Sequence, residues 1–390
     1  MVELLIGVGV LVALFVGFNV GGSTTGPAFG PAVGAGVLSK LLAGALMAVF
    51  FLIGAWTIGR RVVTTLGREL VTDPGVFTVE SSIVVLFFIG GALFVGNYVG
   101  IPASTSMTAV GAIAGLGVAR GALDWAVMGE IAVWWIVALL VGFWVSMMVG
   151  RYLYPTINRL IAVDTSDGAL MVLDRSGALP RPRAGPNTTR REIVGTVTLV
   201  AIGCLMGFSS GTSNIANAVA PLFGAGLPLD PLILLGSAAV AVGAVTIARR
   251  TLDTLGNDIT DLPLTAAIVV AVVASAIVIG LSAIGIPASF VIIATMCIVG
   301  LGWGRATRTV TIAETVRGEG VPTVSVGALA TDDPGEAAPG IGEERPEEIP
   351  AASDLFDPST TGRVIVMQNV VPLLSTVGAY LAFRLLVALG

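Results

Sequence analysis

Apolar residues along this chain come in runs of about twenty, separated by short polar or Gly- and Pro-rich breaks. A helix needs about 20 apolar residues to cross about 30 Å of hydrocarbon. The runs at 2–18, 41–58, 80–98, 124–150, 192–210, 229–248, 263–283 and 364–389 approach or exceed that length, and each predicts a spanning helix. Four further apolar stretches, 24–38, 102–118, 213–227 and 287–302, are too short or too broken by Gly and Pro to be simple spans. None of the runs alternates apolar and polar positions as barrel strands do. Because lipid cannot satisfy backbone polar groups, the pattern predicts an all-α polytopic membrane protein with broken or re-entrant helices.

The pattern also repeats. Ile58-Gly-Arg-Arg-Val-Val-Thr-Thr-Leu-Gly67 matches Ile247-Ala-Arg-Arg-Thr-Leu-Asp-Thr-Leu-Gly256. Gly100-Ile-Pro-Ala-Ser104 returns as Gly285-Ile-Pro-Ala-Ser289, and Gly115-Leu-Gly-Val-Ala-Arg120 as Gly300-Leu-Gly-Trp-Gly-Arg305. Three matches in one order, at offsets of 189, 185 and 185 residues, predict a first membrane repeat over 1–160 and a second over 191–390. A central polar loop, 161–190, joins them, and an acidic disordered loop at about 305–362 is inserted in the second. Duplicated halves with breaks at matching places point to inverted-topology repeats and a substrate site between them.

Composition sharpens the class. Hydrophobic residues are 55% of the chain, charged ones only 12%, and mean hydropathy is +0.95, against about 25% charged for a soluble domain. There is no histidine, so His-based acid–base chemistry and His-ligated zinc are excluded. Cys204 and Cys297 both fall in apolar runs and read as small buried hydrophobes. Met1–Gly17 lacks a basic leader and carries Glu3, so it reads as a mature span. Lys40 is the only lysine among 20 basic residues, and acids concentrate in loops; that balance suggests a cell with a salt-rich interior. The arginine-rich connection from Arg151 to Arg191 is expected on the cytoplasmic side. If each half crosses an odd number of times, the acidic loop lies there as well.

Two kinds of segment carry candidate chemistry. Gly17-Phe-Asn-Val-Gly-Gly-Ser-Thr-Thr-Gly-Pro27 and Ser209-Ser-Gly-Thr-Ser-Asn-Ile-Ala-Asn-Ala-Val-Ala-Pro221 put polar groups where lipid would penalise them unless they line a cavity or face a helix. Pro102-Ala-Ser-Thr-Ser-Met-Thr108 and Pro287-Ala-Ser289 read as helix starts, where hydroxyls and free amides can both donate to an oxyanion. Small and hydroxyl residues also serve helix packing in membranes, and both readings stay open for each position. Glu130, inside an apolar run, is either interfacial or a displaced coupling carboxylate.

Ser210-Gly-Thr-Ser-Asn-Ile-Ala-Asn-Ala-Val-Ala-Pro-Leu222 resembles the G-A-N-D-V-A-N-A-x-G-P-L signature of the PiT family of inorganic phosphate transporters. Gly17 to Ser23 stands where the first copy belongs, and Gly100 to Ser106 with Gly111-Ala-Ile-Ala-Gly115 resembles the family's G-x-P-x-S-T-T-H…G-A-I-x-G segment. The resemblance covers both halves and leaves out the central and acidic loops. It also departs from the pattern. The two signature aspartates are Val20 and Asn214 here, the histidine is Met107, and two hydroxyl positions after Ser289 are Phe290 and Val291.

The resemblance implies a cation-coupled symporter of inorganic phosphate in the plasma membrane, working by alternating access with Na+ or H+; a homodimer would fit it. The substrate-binding candidates are Asn19, Ser23, Ser104, Thr105, Thr212, Ser213, Asn214, Asn217 and Ser289, with a cation near Asn19 and Asn214. No cofactor, resident metal or nucleic-acid partner is expected, and no enzyme chemistry. Loss of both carboxylates keeps sulfate or another oxyanion as the alternative substrate. A channel-like or structural membrane protein is the alternative of another class.

Overall fold

The computed structural model describes residues 2–34, 36–99, 104–160, 171–174, 181–184, 190–246, 264–307 and 358–389. Its helices in chain order are α1 Val2–Gly34, α2 Lys40–Trp56, α3 Gly59–Thr64, α4 Val79–Val99, α5 Thr105–Arg120, α6 Trp125–Met148 and α7 Tyr154–Leu160. After these come α8 Arg190–Gly224, α9 Leu229–Thr246, α10 Leu264–Ala283, α11 Phe290–Ala306 and α12 Pro358–Leu389. Seven described helices (α1, α4, α6, α8, α9, α10 and α12) are long and apolar enough to cross a bilayer. The chain is thus an all-α multi-pass membrane protein. Between the membrane segments, β1 Met171–Asp174 pairs antiparallel with β2 Arg181–Ala184, so part of the central polar loop is a short hairpin.

Two expected breaks are absent. The polar stretches after Gly17 and Ser209 run without interruption through α1 and α8, of 33 and 35 residues. In α1 the reason is local. Ser23 and Thr24 both donate their hydroxyls to Val20 O, and Thr25 donates to Gly21 O, so the helix satisfies its own polar side chains. The break falls instead between α2 and α3, which meet at 63° before a π-helical turn at Thr65–Glu69. The helices α5 and α11, of 16 and 17 residues, occupy the other two stretches expected to be short. Most of the stretch expected to be disordered, and Arg249–Arg250 of the second repeated motif, lie outside the described residues.

Packing pairs the elements reciprocally: α1 lies on α9 and α2 on α8, while α5 lies on α12 and α6 on α11. Glycine permits these approaches. A Cβ on Gly54 would stand 2.2 Å from Phe208 O in α8, and one on Gly243 would stand 2.0 Å from Phe18 O in α1. Gly54 and Gly243 are separated by 189 residues, the offset of the first sequence repeat. At the second offset, a Cβ on Gly115 would meet Thr376 O at 2.6 Å and one on Gly300 would meet Phe143 O at 2.1 Å. Helices without a hydrophobic drive to associate gain from such close backbone contact.

Candidate functional site

Four helices meet at a cleft lined by Ser23, Thr24, Pro27 and Ala28 of α1, Thr105 of α5, Met206, Ser210 and Asn214 of α8, and Ser289, Phe290 and Val291 at the start of α11. The empty space in and in front of it, open solvent at its mouth included, is about 490 Å³. Among the described residues no ionisable side chain lines it. The wall is hydroxyls, one amide, apolar side chains and the N-terminal ends of α5 and α11.

Asn214 is the hub. Its Oδ1 accepts from Thr105 Oγ1 at 2.7 Å, Asn217 Nδ2 at 3.2 Å and Ser106 Oγ at 3.3 Å. Its Nδ2 donates to Ser210 Oγ at 3.0 Å. One Nδ2–H and the Ser210 proton remain for a ligand. The start of α5 is therefore tied to the middle of α8, and both ends of that tie are buried.

Ser213 holds the other helix start. Its Oγ donates to Ala288 O at 2.8 Å and accepts from Ala288 N at 3.0 Å. The one Ser106 proton is shared between Asn214 Oδ1 and Ala288 O, at 3.3 and 2.9 Å, and Ser106 Oγ lies 3.2 Å from Ser213 Oγ. Trp135 Nε1 donates to Pro287 O at 2.7 Å. Ser289 is thus presented by a connection pinned on both sides. It is the N-cap of α11 but makes no side-chain cap bond, and it is 8% exposed. The amides of the first turn of α11 therefore lack a side-chain acceptor and sit at a positive dipole end beside the cleft. By contrast Ser104 caps α5, accepting from Met107 N at 3.3 Å.

Of the residues expected from sequence, Ser23, Thr105, Asn214 and Ser289 line the cleft. Ser104, Ser213 and Asn217 stand directly behind it as a cap, a clamp and an amide donor. Asn19 and Thr212 do not reach it. Asn19 donates to Phe15 O and its Oδ1 accepts from Asn97 Nδ2 at 3.1 Å, which ties α1 to α4. Thr212 Oγ1 lies 3.2 Å from Ser282 Oγ and ties α8 to α10. The two therefore do a matching job, each holding a long helix to its neighbour. Asn19 thus spends its side chain on the contact with α4, whereas Asn214 faces the cleft. Glu130 is exposed on α6 and takes no part in the cleft.

Sequence reasoning missed Ser210 and undervalued Thr24, Phe290 and Val291. Ser210 had a usable signal, since it lies one helical turn before Asn214 on the same face. Phe290 and Val291 read as lost hydroxyls, and nothing in their type suggested a wall.

The sequence profile of the phosphate transporter family (PHO4) matches residues 20–329. The chain is 31% identical over 271 residues to the sulfate permease CysP of Bacillus subtilis, a match covering 68% of each. A protein of Pyrococcus abyssi with a provisional phosphate permease name is 22% identical over 320 residues, covering 66% of this chain and 78% of that one. The fold is shared with a solved sodium-dependent phosphate transporter at TM-score 0.67 and 14% identity, over 98% of both chains. On the profile match and the Bacillus relative together, the chain belongs to the phosphate transporter family.

Proposed function

We propose that this protein is a secondary transporter that carries a tetrahedral inorganic oxyanion across the cell membrane, coupled to a cation, by alternating access between two inverted halves. The observation that carries this reading is the cleft itself. Hydroxyls, the Asn214 amide and the starts of α5 and α11 converge on one space between helices of the two halves. Such groups can replace the hydration shell of an anion without a counter-charge. The reciprocal packing of α1 on α9 and α2 on α8 supports two related halves that can rock about that space.

Phosphate is the substrate that family membership supports. Sulfate is favoured by one specific feature, the absence of a carboxylate where the family signature has two, at Val20 and Asn214. Near neutral pH phosphate still carries a proton and gains from an ionised acceptor; sulfate carries none and is repelled by one. The name of the Bacillus relative agrees with that chemistry. The deciding experiment is uptake of radiolabelled phosphate and of radiolabelled sulfate into proteoliposomes, with and without a sodium or proton gradient. Accumulation of either anion above its equilibrium level, driven by a gradient, is the expected result. Failure to move either anion under any gradient defeats the transporter reading, and movement without accumulation turns it into a channel.

A further inference from the structure

The cleft is long, and its chemistry changes along its length. Asn214, Ser210 and Met206 follow one another at four-residue intervals on one face of α8, so the lining there runs from amide to hydroxyl to thioether. Those eight residues of helix span about 12 Å, far more than one tetrahedral ion fills. Helix α1 changes in the same direction. It runs antiparallel to α8, since a Cβ on Gly9 would meet Leu222 Cδ2 at 3.0 Å and one on Gly203 would meet Phe29 Cε1 at 2.5 Å and Ala28 O at 3.1 Å. Pro27 and Ala28 therefore lie at the Met206 end of the cleft, with Ser23 and Thr24 nearer Ser210.

Hydrogen-bond donors are gathered at the other end. Asn214 Nδ2 keeps one proton after its bond to Ser210, and the Ser210 proton is uncommitted. The start of α11, with its first amides, is held at the same level by the bonds between Ser213 and Ala288. Ser23 and Thr24 give their protons to Val20 O, at 3.0 and 2.8 Å, and turn only lone pairs to a ligand. Beyond them the lining is hydrocarbon and thioether, and Phe290 and Val291 add apolar side chains. An ion with four equivalent oxygens seated on the donors turns an oxygen towards lone pairs or hydrocarbon, where an unpaired polar atom costs free energy. A head of three oxygens with carbon in the fourth place has no such loss. No described lining residue is charged, and neutral donors suit one negative charge better than two, because the cost of desolvating an ion climbs steeply with its charge.

We propose that the cleft takes a second class of substrate, short-chain organosulfonates, with the sulfonate head on Asn214, Ser210 and the α11 amides and the alkyl tail lying along α8 towards Met206, Pro27 and Ala28. The inference rests on the oxyanion reading of the cleft and extends it from inorganic to organic anions. Each methylene taken out of water raises affinity about fourfold, so affinity climbs with chain length until the apolar stretch is filled. An inorganic ion makes no use of that stretch.

The test uses the full chain, in detergent and in proteoliposomes. Affinities of sulfate, phosphate, methanesulfonate and propanesulfonate are measured by calorimetry, with propylammonium as the probe that carries the tail without the head. Propanesulfonate should bind at least fivefold more tightly than methanesulfonate, and propylammonium should not bind. Vesicles that take up sulfate or phosphate should also take up radiolabelled propanesulfonate, and the inorganic anion should compete with it. The ratio of propanesulfonate to methanesulfonate affinity should fall towards one in Met206→Ser and in Phe290→Thr. Both ligands share the head, so this ratio is insensitive to a general loss of binding or of folded protein. Equal affinity for the two sulfonates overturns the inference and leaves the inorganic oxyanion reading in place. So does propylammonium binding as tight as that of propanesulfonate, a ratio that survives both variants, or no sulfonate uptake by vesicles that carry sulfate or phosphate. Failure of every anion to bind overturns the inference together with the oxyanion reading.

Discussion

Replacing Asn214 with aspartate asks the structure a sharp question, because the change is nearly isosteric and adds one charge at the hub of the cleft. Asn214 Oδ1 already accepts three donors, from Thr105, Asn217 and Ser106, at 2.7, 3.2 and 3.3 Å. A carboxylate oxygen keeps all three, and each becomes charge-assisted. The second oxygen replaces Nδ2, and Ser210 needs only to turn its hydroxyl from acceptor to donor across the present 3.0 Å. The fold should survive. A dianion elsewhere is a different matter. At about 5 Å, with an effective dielectric of about 20, a carboxylate and a dianion repel by about 7 kcal/mol. Even with half of that screened, sulfate affinity falls more than a hundredfold. Monoprotonated phosphate recovers part of the loss by donating a hydrogen bond to the carboxylate, worth about 1.5–3 kcal/mol. Binding of each anion to the folded variant by calorimetry, and uptake in proteoliposomes, should therefore show sulfate lost and the preference moved to phosphate. A variant that unfolds normally and still binds sulfate within threefold of the parent refutes the placement of the anion beside Asn214.

Other perturbations test the rest of the architecture. Ser289→Ala removes an uncommitted hydroxyl from the lining of the cleft and should weaken anion binding by roughly ten- to a hundredfold, read by the same calorimetry. Gly243→Ala would put a Cβ 2.0 Å from Phe18 O, and Gly54→Ala one 2.2 Å from Phe208 O; each should cost about 1–3 kcal/mol, read by thermal unfolding in detergent. Gly129→Ala, with open space around it, is the control and should cost nothing measurable. Asp230→Asn breaks the 2.6 Å pair with Arg60, but those side chains are 60% and 34% exposed, so the loss should stay below about 1 kcal/mol. Single cysteines placed in the acidic loop and in the connection from Arg151 to Arg191 should be labelled only from the cytoplasmic side; labelling of either from outside reverses the topology.

Much of the fold was legible because lipid leaves a chain few choices. Runs of apolar residues long enough to span became helices, and Pro102 and Pro287 were correctly read as heralds of new ones: α5 starts at Thr105 with Ser104 as cap, and α11 at Phe290. What misled was the weight given to glycine and hydroxyl residues as helix breakers. In water Ser and Thr compete with a helix by bonding to nearby backbone. Inside α1 the competition takes another form, since Ser23, Thr24 and Thr25 bond to carbonyls of the preceding turn and leave the helix intact. The real bend, 63° between α2 and α3, falls at Thr57–Ile58, at the end of the run 41–58 and not in either polar stretch.

The site was legible in its parts and illegible in its division of labour. Each polar motif contributes to the region of the cleft, yet a motif read as a string gives no account of which side chains turn inward. Ser213 and Asn214 are neighbours in sequence and about 100° apart around α8. One therefore clamps Ala288 while the other lines the cleft. Thr105 and Ser106 divide in the same way. The residues that look like losses in the second half then make sense. Phe290 and Val291 stand where the first half has Thr105 and Ser106, and their side chains offer a ligand neither donor nor acceptor. Backbone amides at the start of α11 do not depend on side-chain identity, so that end of the cleft keeps its donors after its hydroxyls are gone. A site that has lost carboxylates and hydroxyls together has shed acceptors faster than donors. That is the direction in which a cleft must change to prefer an oxyanion with no proton of its own.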